Sequence, residues 1–359
     1  MIIVIVGTRP NFMKMSPIID QLLVNKITHK IVHTGQHYDK NMSTNIMADL
    51  NFKKPDYFLN ASGGTFAEQT SKIVLELEKI CKNLKPSLAL VAGDVNSSLS
   101  SSIVFNNMKI PIGHVEAGLR SFDKEMPEEN NRILIDHISD LLFVTEPSAI
   151  QNLKNENIKS DKVHFVGNCM IDSLKKILPA AIERKVWQTY NVKENNYFLT
   201  TFHRPSNVDQ KKSLENLGIL LNELSSIKPT IFPIHPRTRY KIKEYNIKLS
   251  KNIILIEPQS YLDFVSLMSN SKAVITDSGG IQEETTFLNV PCITFRKNTE
   301  RPITCEVGTN VIVGNDIKKA INEVLKIDTR IIEQIIQPKL WDGESSKRVI
   351  KIIKSFLKK

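Results

Sequence analysis

Short apolar runs alternate with longer amphipathic stretches along almost the whole chain. The first half has apolar runs at 2–6, 30–34, 87–93, 110–116, 141–144 and 162–167, and the second half at 197–201, 230–234, 252–257, 272–276, 291–295 and 310–314. Strands that are apolar throughout are typical of a parallel sheet covered by helices on both faces. The pattern therefore predicts an α/β fold with two Rossmann-like, doubly wound domains.

Amphipathic periodicity also predicts helices in the first half, over 15–23, over 65–83, from Ser97 and over 128–139. The stretch 168–196 has a helical pattern without a strand, so we place the domain boundary at its start. The predicted domains are 1–168 and 169–344. The final segment, 345–359, has the pattern of an amphipathic helix, and we expect it to complete the first domain.

The composition agrees with a globular protein of two domains, since 359 residues exceed what one core usually organises. The net charge of +10 raises the question of nucleic-acid binding. However, the excess is mostly lysine scattered along the chain, which is typical of a solvated surface, so we predict no nucleic-acid partner. Arginines instead concentrate in the motifs described below, where a forked donor suits phosphate or carboxylate.

The cysteines indicate a reducing compartment. Cys81, Cys169, Cys292 and Cys305 form no CxxC pair, and we expect free thiols. No apolar run approaches the length of a membrane helix, and the first residues lack the basic region of a signal peptide. These features predict a cytoplasmic protein without a membrane partner.

The stretch "VGTRPNFMKMSP" follows the first predicted strand and has the features of an anion site. Gly7 permits a tight turn, Arg9 lies at the carboxyl end of the strand, and Lys14 is expected in the first helical turn. The motif is neither GxGxxG nor a P-loop. The alternative interpretation is an ordinary turn with surface charge.

The stretch "TDSGGIQEE" indicates a diphosphate site more strongly. Ser278, Gly279 and Gly280 open a predicted helix, and the glycines let backbone amides approach a ligand closely. Glu283 or Glu284, one turn into the helix, can accept hydrogen bonds from a ribose. The alternative is a capped helix with a glycine-rich start.

Further polar residues follow strands of the second half. "TTFHRPSN" contains His203 and Arg204, "HPRT" contains His235, and "KNTERPIT" contains Arg301. Each of these segments alone is equally compatible with ordinary loop charge or, for a histidine, with a structural role.

Carboxylates collect around the first domain's later strands. Asp94 follows one buried strand, Glu116 ends the next, and "PEENNR" carries Glu128 and Glu129 into a first helical turn. Carboxylates that face an anionic ligand are costly unless protons have to be moved, which indicates acid/base chemistry. The alternative for Glu128 and Glu129 is that they only match the helix dipole.

A catalytic metal is not predicted. His33 with His37, or His114 with Glu116, can be paired, but no third ligand follows at a suitable spacing. No motif of a nucleophilic serine or cysteine is present.

Together the motifs resemble the non-hydrolysing UDP-N-acetylglucosamine 2-epimerases. The resemblance runs in order through "VGTRPNFMKMSP", "GDVNSS", "HVEAGLRS", "PEENNR", "HPRT", "DSGGIQEE" and "TERPIT". It implies a GT-B architecture with the sugar nucleotide between two Rossmann-like domains, and a cytoplasmic homodimer. It also implies interconversion of UDP-GlcNAc and UDP-ManNAc for surface polysaccharides, without NAD or metal.

The resemblance implies elimination of UDP to 2-acetamidoglucal, followed by re-addition with C2 inverted. The predicted acid/base set is Asp94, Glu116, Glu128 and His203. The predicted UDP-sugar contacts are Arg9, Lys14, Arg204, His235, Phe264, Ser278, Gly279, Gly280, Glu284 and Arg301. Phe264 is the candidate for contacting uracil.

Some alternatives remain open. Pro205 and Ser206 stand where many bacterial relatives have Arg and Glu. Gln36 matches one position of an allosteric site known in those relatives, but Asp39 and "ASGGTF" depart from it. The alternative functions are an epimerase of another UDP-2-acetamido sugar, including 6-deoxy forms, a hydrolysing epimerase, a GT-B glycosyltransferase and a non-catalytic nucleotide-sugar binder.

Overall fold

The computed structural model describes residues 1–35, 40–327 and 337–358. Gln36, His37, Asp39 and Lys359 lie outside the described residues. The chain divides into two compact units: unit 1 is Met1–Lys176 with Lys339–Lys359, and unit 2 is Ile177–Pro338.

Within the described residues the strands are β1 Ile2–Val6, β2 His29–His33, β3 Tyr57–Phe58, β4 Leu88–Ala92, β5 Ile112–Ala117, β6 Leu141–Val144, β7 Val163–Phe165, β8 Phe198–Thr201, β9 Thr230–Pro233, β10 Ile253–Ile256, β11 Ala273–Thr276, β12 Cys292–Thr294 and β13 Asn310–Ile312. Every strand pair in both sheets is parallel.

The α-helices of the described residues are α1 Arg9–Val24, α2 Lys40–Asp49, α3 Phe66–Leu84, α4 Asn96–Asn107, α5 Pro127–Ile138, α6 Pro147–Asn155, α7 Cys169–Glu183, α8 Pro205–Val208, α9 Lys211–Ile227, α10 Pro236–Glu244, α11 Tyr261–Ser269, α12 Gly279–Leu288, α13 Ile303–Glu306, α14 Ile317–Ile327 and α15 Ser345–Phe356. Short 3₁₀ helices cover Ser160–Lys162 and Val186–Tyr190.

The strand orders are those of doubly wound folds. The sheet of unit 1 has the order β3-β2-β1-β4-β5-β6-β7, and the sheet of unit 2 has the order β10-β9-β8-β11-β12-β13. In each sheet the chain reverses its direction of winding between two neighbouring strands, β1 and β4 in unit 1 and β8 and β11 in unit 2. Ligands of such folds bind outside the carboxyl ends of the strands at this switch point.

The pattern of apolar residues explains this arrangement. All residues of β1 and β4 are buried, as expected for central strands covered on both faces. The helix α3 shows the opposite pattern, because it buries only Ile73, Leu77 and Cys81 and begins with a capping box between Thr65 and Glu68. The prediction of two doubly wound α/β units is confirmed, and each predicted strand is present with small shifts at its ends.

The predicted division at Asn168 differs from the division in the structure. Residues 169–176 and 339–344 belong to unit 1. Asp172 of α7 accepts hydrogen bonds from the backbone N–H groups of Ser345 and Ser346, which start α15. The indole of Trp341, which is buried, donates to the carbonyl oxygen of Thr145 at 3.0 Å. These bonds tie both segments to unit 1, and they join residues too far apart in sequence for periodicity to reveal.

Among the described residues of unit 1, the sequence did not predict α2, the two-residue strand β3, α6 or the 3₁₀ helix Ser160–Lys162. The polar character of α6 explains one of these omissions, because the helix buries only Ala149 and Leu153. Within the described ranges, no helix is both long and apolar enough to cross a membrane.

Candidate functional site

The switch point of unit 1 brings together residues from three strand ends. Gly7 follows β1 and Gly93 follows β4, while Glu116 is the second-to-last residue of the neighbouring strand β5. Asp94 comes directly after Gly93 and is half-buried. The structure therefore brings the predicted Asp94 and Glu116 to adjacent strand ends.

Lys14 and Glu116 form a buried ion pair. Lys14 Nζ lies 2.8 Å from Glu116 Oε1, and the two side chains are 6% and 3% exposed. The prediction that Lys14 lies in the first turn of a helix is wrong. The helix α1 begins earlier, at Arg9, because Thr8 and Asn11 form a capping box and Pro10 suits the first turn. Lys14 therefore lies in the second turn of the helix.

Glu116 has an unusual backbone conformation. Its φ is +69°, in the left-handed region that a side chain with a Cβ adopts only at a cost of about 1–2 kcal/mol. The pairing of β5 with β6 is irregular between Val115 and Ala117, so Glu116 lies at a β-bulge. Bulges and strained residues of this kind often re-aim a side chain at a functional site. The strand was predicted to end at Glu116, but it continues to Ala117.

A close approach of the backbone explains Gly93. Its φ is +60°, and a Cβ at this position would lie 2.8 Å from Lys14 Nζ and 3.9 Å from Glu116 Oε1. A side chain at residue 93 would therefore disturb the buried ion pair. The glycine allows the strand end of β4 to lie against Lys14.

Arg132 of α5 joins two carboxylates. Its guanidinium donates to Asp94 Oδ2, with a distance of 3.0 Å from Nε, and to Glu129 Oε2 at 2.8 Å. Glu129 also accepts hydrogen bonds from the backbone N–H groups of Ser121 and Phe122. Glu129 is thus a buried residue that holds the loop before α5. Its neighbour in the sequence, the predicted Glu128, is exposed.

A second charge network lies beside these residues. Asp136 of α5 accepts from His114 Nδ1 at 2.7 Å and from Arg120 Nη1 at 2.7 Å. Arg120 also donates from two nitrogens to both carboxylate oxygens of Glu156, each at 2.7 Å. Burial acts to raise the pKa of Asp136, but His114 and Arg120 outweigh it and lower the pKa below its ordinary value.

The switch point of unit 2 is built around a fully buried aspartate. Asp277 follows β11 and accepts hydrogen bonds from the backbone N–H of His203 and Arg204 and from the Asn207 side chain. His203 Nδ1 lies 3.0 Å from Asp277 Oδ1, while the imidazole itself is 60% exposed. Burial acts to raise the pKa of Asp277, but the bonds from His203 and Asn207 hold it below its ordinary value. The predicted His203 and Arg204 are therefore oriented by one carboxylate.

The side chain of Arg301, which comes from the loop before α13, lies beside the first residue of α12. A Cβ at Gly279 would be 2.5 Å from Arg301 Nη1 and 2.8 Å from Glu300 Oε1. Arg301 is fixed by two carboxylates, since it donates to Glu300 at 2.7 Å and lies 3.0 Å from Glu283 Oε2. The structure thus brings the predicted Gly279 and Arg301 together at a helix N-terminus, which favours anions. Glu283 serves as a partner of this arginine.

Four further predicted residues of unit 2 lie on or directly before the helices α11 and α12. Ser278 is the N-cap of α12, and Gly280 follows it in the first turn. Glu284 is buried and accepts a hydrogen bond of 2.7 Å from the hydroxyl of Tyr261, which begins α11. Phe264 lies on the same helix as Tyr261 and is 8% exposed.

His235 and Arg9 each begin a helix that follows a strand. His235 is the exposed N-cap of α10, and its Nδ1 accepts from the backbone N–H of Arg237 at 3.2 Å. Arg9 is the half-buried first residue of α1.

His33 and His114, two of the residues considered as metal ligands, have other contacts. His33 stacks on Phe58 with ring centroids 5.4 Å apart, and burial lowers its pKa to about 4. Both ring nitrogens of His114 are engaged, by Asp136 and by the carbonyl oxygen of Gly93. Among residues 1–35, 40–327 and 337–358, no group of three His, Cys, Asp or Glu side chains is arranged to hold a metal ion.

The sequence did not reveal Arg132 and Asp136 as members of the site. A signal was present, because Glu129, Arg132 and Asp136 follow one another at helical spacing on α5 and all three are buried. A polar inward face on a helix that flanks a parallel sheet is unusual and indicates a network beneath a functional surface.

Comparison with known proteins identifies the family. A family profile described as UDP-N-acetylglucosamine 2-epimerase matches residues 23–354. The UDP-N-acetylglucosamine 2-epimerase of Methanococcus maripaludis is 42% identical, over 98% of this chain and 97% of its own length. The UDP-2,3-diacetamido-2,3-dideoxy-D-glucuronate 2-epimerase of Pseudomonas aeruginosa is 40% identical, over 87% of this chain and 88% of that protein.

A solved structure is similar over the full length. The UDP-GlcNAc 2-epimerase of Methanocaldococcus jannaschii, crystallised in complex with UDP-GlcNAc and UDP, is 42% identical and matches with a TM-score of 0.90 over 99% of both chains. This likeness confirms the predicted GT-B fold class. The chain described here belongs to the UDP-N-acetylglucosamine 2-epimerase family.

Proposed function

We propose that the protein interconverts UDP-GlcNAc and UDP-ManNAc without net hydrolysis. The first half-reaction breaks the C1–oxygen bond, so that UDP leaves with the bonding electrons while a base removes the C2 proton. The product is 2-acetamidoglucal. In the second half-reaction UDP adds back to C1, and a proton is delivered to the opposite face of C2.

This chemistry needs acids and bases beside the sugar and cations beside the leaving group. We assign the acid/base role to Asp94, Glu116, Glu128 and His203. We assign binding of the UDP leaving group to the N-terminus of α12, together with Arg301 and Arg204. Arg9 and His235 are further proposed contacts of UDP.

The observation that carries the proposal is the state of Glu116. Its carboxylate is buried, paired with Lys14 at 2.8 Å, and held on a backbone with φ of +69° at a β-bulge. A fold that only needed stability would avoid both the strain and the buried charge. Their combination at the carboxyl end of a central strand supports a role in proton transfer.

The decisive experiment incubates the protein with UDP-GlcNAc in deuterated water and follows the sugars by proton NMR. We expect UDP-ManNAc, with deuterium at C2 of both sugars and little free glucal. The variant Glu116→Gln should retain UDP binding and lose turnover by at least about a hundredfold, because one proton-transfer group contributes roughly 10²–10⁴ in rate.

A matched control is Glu125→Gln, which changes an exposed carboxylate on the same segment. It should keep the rate of the unaltered protein. Stoichiometric free ManNAc and UDP would favour a hydrolysing epimerase instead. Absence of both deuterium exchange and turnover would contradict epimerisation of this sugar and favour a glycosyltransferase, a binder or another substrate.

A second candidate substrate is a UDP-2-acetamido sugar with a modified hexose. The Pseudomonas aeruginosa relative named for a 2,3-diacetamido glucuronate is almost as similar as the UDP-GlcNAc epimerases. The proposed chemistry takes place at C1 and C2 of the hexose, so it does not depend on the substituents at C3 and C6. Parallel incubations with UDP-GlcNAc, its 6-deoxy analogue and the 2,3-diacetamido uronate should rank the substrates by kcat/KM.

We also propose that the protein is a cytoplasmic homodimer. The four cysteines are free thiols, as suits a reducing compartment. The neighbouring helices α3, α4 and α5 expose Leu75, Ile103 and Leu134, at 58%, 46% and 52%, on the side away from the core of unit 1. Exposed large apolar residues on adjoining helices favour an interface.

Light scattering after size-exclusion chromatography tests the dimer. The protein should elute as a dimer, and Ile103→Glu should shift it toward the monomer. The control Leu325→Glu changes a leucine of α14 that is 53% exposed, and it should leave the mass unchanged. A monomeric unaltered protein would contradict this proposal.

A further inference from the structure

The Asp136 carboxylate of α5 binds three groups of β5 and of the loop that follows it. One oxygen, Oδ1, accepts from His114 Nδ1 at 2.7 Å. The other, Oδ2, accepts from the backbone N–H of Gly118 at 3.1 Å and from Arg120 Nη1 at 2.7 Å. The side chains of Asp136 and His114 have no exposed surface. Every one of these donors belongs to β5 or to the loop that follows it.

His114 extends this contact to β4. Its Nε2 lies 3.0 Å from the carbonyl oxygen of Gly93. The partners of the two ring nitrogens, the Asp136 carboxylate and the Gly93 carbonyl oxygen, both belong to groups that accept hydrogen bonds. The His114 ring therefore links the carboxylate of Asp136 to the backbone immediately before Asp94.

The two contacted backbone groups flank two of the proposed acid/base residues. Gly93 immediately precedes Asp94, and Gly118 follows Glu116 by two positions. The irregular pairing of β5 with β6 interrupts the ladder at Glu116, so the regular hydrogen bonds of the sheet do not define this strand end. The Asp136 carboxylate binds the His114 side chain before this irregularity and the backbone N–H of Gly118 after it.

The outer end of the network is also fixed. Arg120 is 1% exposed in its side chain and forms a two-pronged pair with Glu156, at 2.7 Å for both bonds. Charges alternate in sign from Asp136 through Arg120 to Glu156. A network with this alternation is compensated at each buried charge and holds its geometry firmly.

We propose that Asp136 is a positioning residue for the epimerase reaction, and that through His114 and Gly118 it sets the spacing between Asp94 and Glu116. Asp136 does not touch the sugar in this proposal. The expected effect on catalysis rests on the proposed function. The expected effect of Asp136 on the backbone at Gly118 does not depend on the substrate.

The test compares two variants that alter hydrogen bonds to the same strand. Asp136→Asn removes the charge at the carboxyl end of β5. Asp140→Asn is the matched control, because Asp140 Oδ2 accepts from the backbone N–H of Ile112, at 3.0 Å, at the amino end of β5. We expect Asp136→Asn to lower kcat by about a hundredfold, since misplacement of reacting groups by about 1 Å has effects of this order.

The KM of the UDP-sugar and the affinity for UDP should stay within about threefold in Asp136→Asn, because the proposed nucleotide contacts are elsewhere. Asp140→Asn should leave kcat unchanged. Hydrogen exchange followed by mass spectrometry supplies a readout without substrate: peptides that contain Gly118 should exchange faster in Asp136→Asn only.

The outcomes separate this inference from the proposed function. Faster exchange in Asp136→Asn, with an unaltered protein that does not turn over UDP-sugars, would contradict the function and support the structural contact. A folded Asp136→Asn with normal kcat would overturn the inference. Equal loss of kcat in Asp140→Asn would also overturn it, because that result indicates general weakening of the strand.

His114→Gln provides a second route if Asp136→Asn does not fold. This change shortens the link to Gly93 and leaves the bonds of Asp136 to Gly118 and Arg120 available. We expect a loss of kcat with an unchanged KM. Normal kcat in a folded His114→Gln would overturn the inference.

Discussion

Lys14 Nζ lies 2.8 Å from Glu116 Oε1, although the two residues are 102 positions apart in the sequence. Lys14 belongs to α1, the first helix of unit 1, and Glu116 belongs to β5, the fifth strand along the chain. Their pairing links the two halves of the sheet of unit 1 across its switch point. Both charges are almost completely removed from water, so each depends on the other for compensation.

The first prediction is that this pair is strongly coupled. Lys14→Met and Glu116→Gln should each lower the free energy of unfolding by about 3–5 kcal/mol, because each leaves a buried charge without its partner. The double variant should recover most of this loss but not the turnover. Urea denaturation of the four proteins measures the coupling as a double-mutant cycle. Simple additivity of the two losses would show that the pair is not coupled.

The second prediction separates backbone strain from crowding. Gly93 and Gly63 both have positive φ, +60° and +71°, but only the Cβ at residue 93 would meet other atoms within 4 Å. Each glycine-to-alanine change should therefore cost about 1–2 kcal/mol of unfolding free energy from the backbone alone. Gly93→Ala should cost more, because Lys14 Nζ would have to move, and it alone should reduce turnover. Equal stability and turnover in the two variants would contradict the role assigned to Gly93.

Much of the fold could be predicted from the sequence because its strands are apolar throughout. The bounds of β1 and β6 agree with the runs 2–6 and 141–144; Gly7 ends the first run, and Asp140 and Thr145 flank the second. The location of Asp94 and Glu116 at adjacent strand ends also follows from pattern, since the carboxyl ends of parallel strands share one edge.

The parts of the site that the sequence did not reveal depend on long-range contacts. The left-handed backbone of Glu116 results from how β5 pairs with β6, which periodicity does not encode. The predicted helix over 15–23 starts later than α1, which begins at Arg9 and has Pro10 in its first turn, where proline is well tolerated. Asp172 was not singled out, because its bonds to α15 join segments far apart in sequence.

The third prediction concerns acid stability. The pKa of Asp277 lies below its ordinary value of 3.8, so its ionised form stabilises the folded state above that pH. The free energy of unfolding should therefore fall as the pH drops below 3.8. Asp277→Asn should be less stable at neutral pH and should show a smaller fall between about pH 5 and about pH 2.5.

The control for this pH experiment is Asp316→Asn, which changes an exposed aspartate in the same unit. Its unfolding free energy should follow that of the unaltered protein at each pH. Unfolding by urea at a series of pH values gives the comparison. Parallel curves for Asp277→Asn and the unaltered protein would contradict the contribution of Asp277.

The last prediction addresses the nucleotide contact proposed for Glu284. Tyr261→Phe removes the hydroxyl that donates to Glu284 at 2.7 Å. If Glu284 holds the ribose, loss of this bond should raise the KM for UDP-GlcNAc about tenfold with little change in kcat, because hydrogen bonds to charged groups contribute about 1.5–3 kcal/mol. Tyr197→Phe is the matched control, since its buried hydroxyl donates instead to the carbonyl oxygen of Leu267. It should lower stability by about 1 kcal/mol and leave KM unchanged. An equal KM in both variants would remove Glu284 from the proposed nucleotide contacts.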